Sequence, residues 1–417
     1  MKFSTLSTLL LVPATALAQS SSASGSASAS AASASASGAA GNGSDYLTTV
    51  LGALTSAGLT SLVGAAQGIA GTSEGQALLG SLAQGNKTVF APSNAALSNV
   101  SQDILGNNAL LTQILAYHIL NNTYTSQGVA TAPNHTIART LLRGGNYTLP
   151  GNFTAPLVLA KNSTNATSFE IIQTTSNISA GGNATAANLH VYVIDQVIQL
   201  PQSLDTVVPE IAPQLNGLVG SIPGLADSLA SANGITIFAP NDAAIGAIQS
   251  SLGQLNATQV TSVLSNHIIN GTVVYSTGLG SGNYTSAGGE PFTFVSNSSG
   301  AYVRSANSTA KIVQSDIILN NGVIHVIDNV LVNTASNPQA AESAYSSAVA
   351  AASTSTEANT PVTATSAATT PSGSGGGSSS GASSAGFKIE PLGFTNSMMG
   401  GIVAVVGAVV GGVITLF

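Results

Sequence analysis

The sequence predicts two α+β domains of the same kind, arranged in tandem. Three sequence blocks occur twice in the same order, at an interval that fits a whole domain and is too long for a solenoid repeat. The first block has the local pattern of a strand, a turn and a capped helix. The apolar residues that lead into each copy recur at helical spacing. Helices packed on a β-sheet are therefore expected in each copy.

The first block occupies residues 88–97 and returns at residues 236–245, with Phe-Ala-Pro in the middle of both copies. Its opening residues are β-prone, and the proline ends the strand because it biases the residue before it towards an extended conformation. A side-chain oxygen is then available to cap the next helix. The candidate caps are Ser93 or Asn94 in the first copy, and Asn241 or Asp242 in the second.

Two further blocks follow each copy of the first. The middle block lies at residues 114–120 and 263–269, and both copies carry a histidine followed by two aliphatic residues. The closing block lies at residues 193–198 and 326–331, and both copies contain Ile-Asp. Three blocks repeated in one order indicate a tandem duplication of one domain.

These blocks resemble the fasciclin domain family. The first block matches the family pattern Thr-x-Phe-Ala-Pro-x-Asn-x-Ala, Tyr117-His118 matches its Tyr-His block, and the segment from His325 to Leu331 matches its closing block. The resemblance covers roughly residues 46–334. It implies an α+β fold of two tandem fasciclin-like domains, each a β-sandwich or wedge with helices packed on it, flanked by disordered Ser/Ala/Thr/Gly-rich segments.

The chain departs from the family pattern at two places. Asn266 replaces the tyrosine of the middle block in the second copy. Tyr192 stands where the first copy should have the closing histidine, and His190 lies two residues earlier. Two residues along a strand return to the same face, so His190 is a candidate substitute.

The resemblance also implies functional positions, because adhesion in this family is attributed largely to the middle block. The implied adhesion candidates are Tyr117, His118, Ile119, Leu120, His267, Ile268 and Ile269. The same aliphatic residues fit the domain core equally well. The structural positions of the motif are Phe90, Pro92, Asn94, Asp195, Phe238, Pro240, Asp242, His325 and Asp328.

Hydrophobic patterning predicts the elements of each copy. Short amphipathic helices are expected across residues 45–84 and 204–229, and one more at residues 110–120. Strands are expected at residues 147–149, 157–159, 169–172 and 191–198 in the first copy, and at 235–238, 292–295, 302–303, 311–318 and 323–330 in the second.

Amino-acid composition divides the chain outside the repeats into a signal peptide, an arm, a stalk and a C-terminal tail. Residues 1–18 have the pattern of a secretory signal peptide, and residues 19–44 form a Ser/Ala-rich arm that has nothing to bury. The two domains are expected at residues 45–202 and 203–334. Residues 335–386 are interpreted as a Ser/Thr/Gly-rich stalk, with a short helix at residues 340–352 continuing from the second domain.

The C-terminal residues 387–417 consist of a spacer and an apolar tail. A GPI-attachment signal consists of small residues, then a spacer, then an apolar end, and this chain has the same order. The spacer and the apolar end of such a signal are removed when the lipid is attached. Ser384 is the predicted attachment residue, with Ser383 or Gly386 as alternatives. A true membrane-spanning helix is the competing interpretation of the tail.

N-glycosylation sequons are dense in the repeats, and a secretory signal makes such sequons candidate sites on the protein surface. The predicted sites are Asn86, Asn99, Asn121, Asn134, Asn146, Asn152, Asn162, Asn165, Asn177, Asn183, Asn256, Asn270, Asn283, Asn297 and Asn307.

Charge and cysteine content exclude several classes of protein. Only 6% of the 417 residues are charged, the net charge is −7, and the few lysines and arginines are scattered. No basic stripe for a nucleic acid exists. The chain contains no cysteine, so it has no disulfide framework and no thiol chemistry.

The sequence offers no constellation for catalysis, and neither a cofactor nor a metal site is expected. The five histidines lack metal-ligand spacing. His118 and His267 are interpreted as buried histidines bonded to backbone, with a ligand or catalytic base as the alternative. Asp195 and Asp328 are interpreted as acids that accept backbone N–H groups at a turn, because a paired-carboxylate mechanism would need a second repeated acid.

The sequence therefore predicts a non-enzymatic, GPI-anchored surface glycoprotein. It would mediate adhesion between cells, or between a cell and its matrix or substrate, from the outer face of the plasma membrane or the cell wall. Its partners would be other surface, matrix or wall components, including further copies of itself, and the membrane through the GPI lipid. The resemblance suggests a fungal cell envelope. The alternative is a protein of the vacuole or secretory pathway that acts in membrane organisation or trafficking.

Overall fold

The computed structural model describes residues 43–147, 149–161, 168–355 and 362–363. The signal peptide, most of the Ser/Ala-rich arm, the anchor residue Ser384, the apolar tail and the sequons at Asn162 and Asn165 lie outside these residues. They remain predictions.

The first domain begins with three helices that form a helical layer, and strands and short helices follow. Its elements are α1 (Gly43–Ser56), α2 (Thr60–Ile69), α3 (Ser73–Ser81), β1 (Lys87–Pro92), α4 (Asn94–Ser98), α5 (Gln102–Leu105), α6 (Asn108–Tyr117), β2 (Ile119–Leu120), β3 (Thr136–Arg139), β4 (Pro156–Lys161), β5 (Phe169–Ile172), β6 (Asn177–Ala186) and β7 (Leu189–Ile194).

The second domain repeats this order with shorter leading helices. Its elements are α7 (Leu204–Ile211), α8 (Pro213–Gly220), α9 (Leu225–Ser231), β8 (Ile235–Pro240), α10 (Asp242–Leu252), α11 (Ala257–Ser265), β9 (Ile268–Asn270), β10 (Tyr284–Thr285), β11 (Pro291–Asn297), β12 (Gly300–Ser305), β13 (Ser308–Ile318) and β14 (Gly322–Ile327). A helix, α12 (Pro338–Thr354), and a two-residue strand, β15 (Val362–Thr363), follow.

Each domain is built on one sheet whose ends approach each other. The strand orders are β15-β3-β4-β5-β6-β7-β1-β2 and β10-β11-β12-β13-β14-β8-β9. Only the β1–β7 and β8–β14 neighbours are parallel among the described pairs. Leu120 of β2 bridges Thr140 just after β3, and the N–H of Ala287 after β10 donates to the Ile268 carbonyl of β9. Each sheet therefore folds over on itself and encloses an apolar interior, as expected for a wedge.

The first block supplies two different helix caps in each domain. The Ser93 hydroxyl accepts the Ala96 N–H at 3.1 Å and so caps α4, and Asn241 caps α10 through the Ala244 N–H at 2.9 Å. The next residue reaches into the helical layer. The Asn94 side-chain oxygen accepts the N–H of Ser61 in α2 at 3.0 Å. In the second domain, Asp242 accepts the N–H of Gln214 in α8 at 3.0 Å.

The phenylalanine of the first block lies at the centre of each core. Phe90 and Phe238 are fully buried. The Phe90 ring lies 5.9 Å from that of Phe169 and 6.2 Å from that of Tyr192. The Phe238 ring stacks on His325 at 5.5 Å. These contacts explain why an aromatic residue recurs at this position of β1 and β8.

One predicted strand is wrong. Residues 145–147 form a turn of 3-10 helix in place of the start of a strand at 147–149, and Leu149 makes only an isolated bridge to Phe153. Gly144 and Gly145 have φ angles of 93° and 56°, a left-handed conformation that ends an extended run. The sequence also missed β2 and β9, which have two and three residues and directly follow helices. It missed β3, β6 and β10 as well, and β6 is ten residues long.

The segment predicted as a stalk begins as ordered structure. The helix expected at residues 340–352 is present as α12, and it packs against both domains. The backbone oxygen of Ala352 in α12 approaches Gly151 of the first domain, while Tyr345 packs on Gly271 of the second domain. Residues 338–354 therefore belong to the folded pair of domains.

The cap assignment predicts that Asn241→Ala destabilises the protein by about 1 kcal/mol, because the N–H of Ala244 loses its acceptor. Urea unfolding followed by circular dichroism measures this change. Ser250→Ala, at an exposed site in the same helix, is the matched control and should change stability by less than about 0.5 kcal/mol. Equal effects of the two substitutions would contradict the assignment.

Candidate interaction surface

The seven adhesion candidates all lie in the interior. Their exposed fractions range from 0% at Leu120 to 7% at Ile119. The structure thus corrects the expectation that these side chains contact a partner. The alternative, that the aliphatic residues belong to the core, is the one the structure supports.

The histidine of the middle block joins two distant parts of each domain. His118 donates from Nδ1 to the Ile114 carbonyl at 2.7 Å, and its Nε2 accepts the Ile198 N–H at 2.9 Å. His267 repeats this arrangement in the second domain. Its partners are the Val263 carbonyl at 2.7 Å and the Leu331 N–H at 2.9 Å. Because Nε2 must accept a hydrogen bond, the neutral form protonated on Nδ1 is the one that fits.

Burial makes protonation of these rings unfavourable. It lowers the pKa of both His118 and His267 to about 4, although the backbone carbonyl that each contacts acts in the opposite direction. Both nitrogens of each ring already hold a backbone group, so neither histidine is available as a base or a ligand. The interpretation as buried structural histidines is therefore the one the geometry supports.

Because Asn266 replaces the tyrosine, the middle block of the second domain bonds to a different backbone segment from that of the first domain. Tyr117 donates its hydroxyl hydrogen to the Pro156 carbonyl at 3.0 Å in the first domain. Asn266 is fully buried and donates to the carbonyls of Asn333 and Ala335 at 2.9 and 2.8 Å. It therefore fixes the chain where it leaves the second domain. A Cβ on Gly288 would lie 2.2 Å from the Asn266 oxygen, so the site requires a glycine.

Tyr192, and not His190, takes the place of the closing histidine. Tyr192 pairs with Phe90 in the sheet just as His325 pairs with Phe238. Its hydroxyl donates to the Tyr124 carbonyl at 3.0 Å, and Nε2 of His325 donates to the Val274 carbonyl at 2.8 Å. His190 pairs with Thr88 and stays half-buried. The candidate substitution by His190 is therefore not supported.

The two repeated acids differ in their contacts. Asp328 accepts the Lys311 N–H at 2.7 Å, as expected for an acid at a turn. For Asp195, which is exposed, the structure describes no such bond. His325 is bonded to backbone and does not contact Asp328. Within the described residues, no group of three His, Asp or Glu side chains could hold a metal ion.

The domains meet around a buried carboxylate that the sequence did not single out. Asp316 of β13 accepts a hydrogen bond from His135 of the first domain at 2.7 Å. It also accepts the backbone N–H of Ser276 at 2.7 Å and a short hydrogen bond from the Ser276 hydroxyl. Asp316 has a φ of 62° and lies where the β13–β14 register shifts. The bulge turns its side chain towards the first domain.

The local contacts keep this carboxylate charged. Burial alone would raise the pKa of Asp316, but the hydrogen bonds from His135 and Ser276 and the proximity of His325 lower it, and the net shift is downward. A charged carboxylate without partners would be costly at this depth. His135 therefore couples the stability of the second domain to the first.

Apolar and aromatic contacts surround the ion pair. Ile137 and Val158 of the first domain form one buried cluster with Tyr275 and Val323 of the second. The guanidinium group of Arg139 lies 5.4 Å from the centre of the Tyr275 ring. Sequence reasoning missed this interface because none of its polar members recurs in both copies.

The predicted sequons lie outside the leading helices of both domains. Thirteen of the predicted asparagines lie within the described residues, and twelve of them are exposed, with Asn121 partly buried. Residues 43–85 and 203–255 contain none. These two stretches include the helical layers α1–α3 and α7–α9. The helical layers are therefore the part of each domain that glycans would leave uncovered.

The helical layers also differ in charge from the sheets. Residues 43–86 and 203–255 contain no lysine or arginine, whereas the layers carry acids such as Glu74, Asp205 and Asp227. Each helical layer thus presents a sequon-free surface of weak negative charge. Among the described helices, none has the length and apolarity needed to cross a membrane.

The buried histidines predict a loss of stability in acid. Each folded-state pKa lies below the ordinary value of 6.5, so the unfolded chain binds more protons between pH 6.5 and 4. The free energy of unfolding should be unaffected by these groups above pH 6.5 and fall as the pH drops to 4. Each histidine contributes a loss of about 3 kcal/mol when protonation is complete.

Denaturant unfolding between pH 4 and 8 measures this dependence. His118→Gln and His267→Gln should each flatten the profile relative to the wild type, because each removes one histidine whose pKa is lowered by burial. A wild-type stability that is constant from pH 6.5 to 4 would contradict the assignment.

The hydrogen bond between His135 and Asp316 predicts that His135→Ala destabilises the pair of domains by about 2 kcal/mol, because the buried Asp316 carboxylate loses a hydrogen-bond partner. Calorimetry should show a lowered first transition, or two transitions where the wild type has one. His190→Ala serves as the matched histidine control. Identical thermograms for wild type and His135→Ala would show that the pair does not couple the domains.

Comparison with known proteins identifies the family of this chain and several relatives. A fasciclin-like arabinogalactan protein of Arthroderma benhamiae is 24% identical over 60% of this chain, and one of Phaeosphaeria nodorum is 26% identical over 59%. The chain spans 59% of the first relative's length and 78% of the second's. A FAS1 domain pair from the insect cell adhesion molecule fasciclin I is 17% identical, with a TM-score of 0.30 over 62% of this chain and 93% of that one. The fasciclin domain model matches residues 46–201 and 214–333, more than half of the chain, and the protein therefore belongs to the fasciclin domain family.

Proposed function

We propose that this chain is a GPI-anchored surface glycoprotein that mediates adhesion through its fasciclin domains. The observation that carries the proposal is the exposure of the sequons, since twelve of the thirteen described asparagines reach the surface. The sequence order of signal peptide, domains, Ser/Thr-rich stalk and apolar tail agrees with it. The two fungal relatives are named as fasciclin-like arabinogalactan proteins, and the insect neighbour as a cell adhesion molecule.

The helical layers are the proposed contact surfaces. They carry no sequons, so glycans attached elsewhere would leave them accessible. They carry acids without bases, which favours a neutral or basic partner on a surface, matrix or wall. The middle block would support adhesion indirectly, by holding the domains in their folded form.

The anchor is tested by treating intact cells with phosphatidylinositol-specific phospholipase C and blotting the supernatant for an epitope placed after Gln19. The proposal predicts release of a band that shifts to lower mass after enzymatic removal of N-glycans. Retention, while a known GPI protein is released in parallel, would contradict the anchor. Fractionation to an internal membrane would then favour the trafficking role.

The contact surface is tested with an added glycan. Gly71→Asn creates a sequon with Thr72 and Ser73 at an exposed turn of the first helical layer, where an added Cβ meets no neighbour. Attachment of cells that carry this variant should fall severalfold. The control Val313→Asn creates a sequon with Ser315 on the sheet side, at a side chain that is 51% exposed.

Both variants must first show the mass shift of an added glycan and wild-type amounts at the surface. Equal attachment of the two variants would contradict a role for the helical layer.

A further inference from the structure

The second domain contains an apolar cleft beneath its helical layer. The cleft lies between α7, α8 and α9 on one side and β8, α11 and β9 on the other. Its volume is about 620 Å³, and this figure includes the open space at the mouth. We refer to it as the α8 cleft.

The walls of the α8 cleft are aliphatic. Val208, Leu215 and Leu229 face it from the helices, and Ile237, Leu264 and Ile268 form its floor. The floor repeats in the first domain, where Val89, Leu115 and Ile119 hold the equivalent sequence positions. The space therefore arises from the helices above the floor, which differ between the copies.

The helices of the second domain are too short to close the layer. α7, α8 and α9 have eight, eight and seven residues, whereas α1, α2 and α3 have fourteen, ten and nine. Pro209 lies inside α7, and Ala212 breaks the path to α8 with a φ of −152°. Val219 and Leu225 consequently stay only partly buried beside the opening.

A second apolar cleft of about 320 Å³ lies on the far side of α8, between this helix, α10 and α11. Leu215, Leu264 and His267 line both spaces. The two spaces therefore adjoin each other under α8 and together form an extended apolar region. A region of this shape fits a long and narrow ligand better than a compact one.

The polar groups of the α8 cleft restrict the ligand further. His267 lines the floor, but both of its nitrogens are bonded to backbone, so it offers no free donor or acceptor. The mouth carries the exposed residues Asp205, Asn216 and Ala226. With a carboxylate at the rim and no lysine or arginine in residues 203–255, an anionic head group is disfavoured.

From the apolar walls, the elongated shape and the acidic rim, we propose that the α8 cleft binds an unbranched aliphatic chain with an uncharged head group, such as a long-chain alcohol or an acyl ester. The chain lies under α8 and the head group reaches the mouth beside Asn216. This binding activity is separate from adhesion. All the residues that line the α8 cleft belong to the second domain.

The test uses the full chain, purified without detergent, and the neutral dye N-phenyl-1-naphthylamine, whose fluorescence rises in apolar surroundings. The dye should bind saturably at one site for each chain, and 1-dodecanol should displace it. Dodecanoate should displace it at least about tenfold less well, because its carboxylate meets Asp205 at the rim. Non-saturable binding, or equal displacement by the two ligands, would overturn the proposal.

Two tryptophan substitutions locate the site. Leu225→Trp fills the mouth of the α8 cleft and should weaken dye and dodecanol binding by about tenfold or more, since the indole takes the space of several methylene groups. Leu51→Trp, at a partly buried position in α1 of the first helical layer, is the matched control and should bind as the wild type does.

Both variants are compared at equal folded fraction, measured by circular dichroism. If Leu225→Trp is misfolded, the exposed Ala226→Asn, which creates a sequon with Ser228 at the mouth, replaces it. Unchanged dodecanol affinity in a folded mouth variant, or the same loss in Leu51→Trp, would overturn the assignment to this cleft.

Discussion

Each domain depends on one buried imidazole that holds two backbone segments together. His118 joins the end of α6 to the chain 80 residues later, and His267 joins the end of α11 to the chain 64 residues later. Both rings bridge the middle block to the closing block, and the strand of the first block passes between them. Without the ring, the buried N–H groups of Ile198 and Leu331 would lose their partners at the centre of each domain.

This constraint explains why the most recognisable part of the sequence is hidden from partners. The histidine of the middle block recurs because each domain needs it to fold. Residues that touch a partner are free to differ between copies, since they do not maintain the core. The polar interface residues His135 and Asp316 show this freedom, as does the shorter helical layer of the second domain. Function is therefore expected where the two copies diverge.

Local patterns predicted much of the fold. The duplication, most of the longer strands and the helix caps follow from residues that are close in sequence, and the structure selected Ser93 and Asn241 among the proposed caps. Three features could not be predicted this way. His135 and Asp316 are 181 residues apart and meet only through a β-bulge. The burial of Ile119 and Ile268 depends on tertiary packing, because the same aliphatic pattern suits a core and a contact surface. The packing of α12 on both domains depends on glycines elsewhere in the chain.

The helical layers and the sheets of the two domains differ in chemistry. The sheets and their loops carry most sequons and all the basic residues of the described part, whereas the helical layers are acidic and free of sequons. The α8 cleft opens within the helical layer of the second domain, so the proposed aliphatic ligand would enter through a sequon-free surface.

The central claim is that the two middle-block histidines are neutral and fixed in the interior. Nitrogen-15 NMR of the imidazole rings measures their tautomer and titration directly. We expect His118 and His267 to carry their proton on Nδ1 at neutral pH and to titrate near pH 4. Titration near the ordinary value of 6.5, with a mixture of tautomers, would place both rings in contact with solvent and rule out their role as neutral, fixed links between backbone segments.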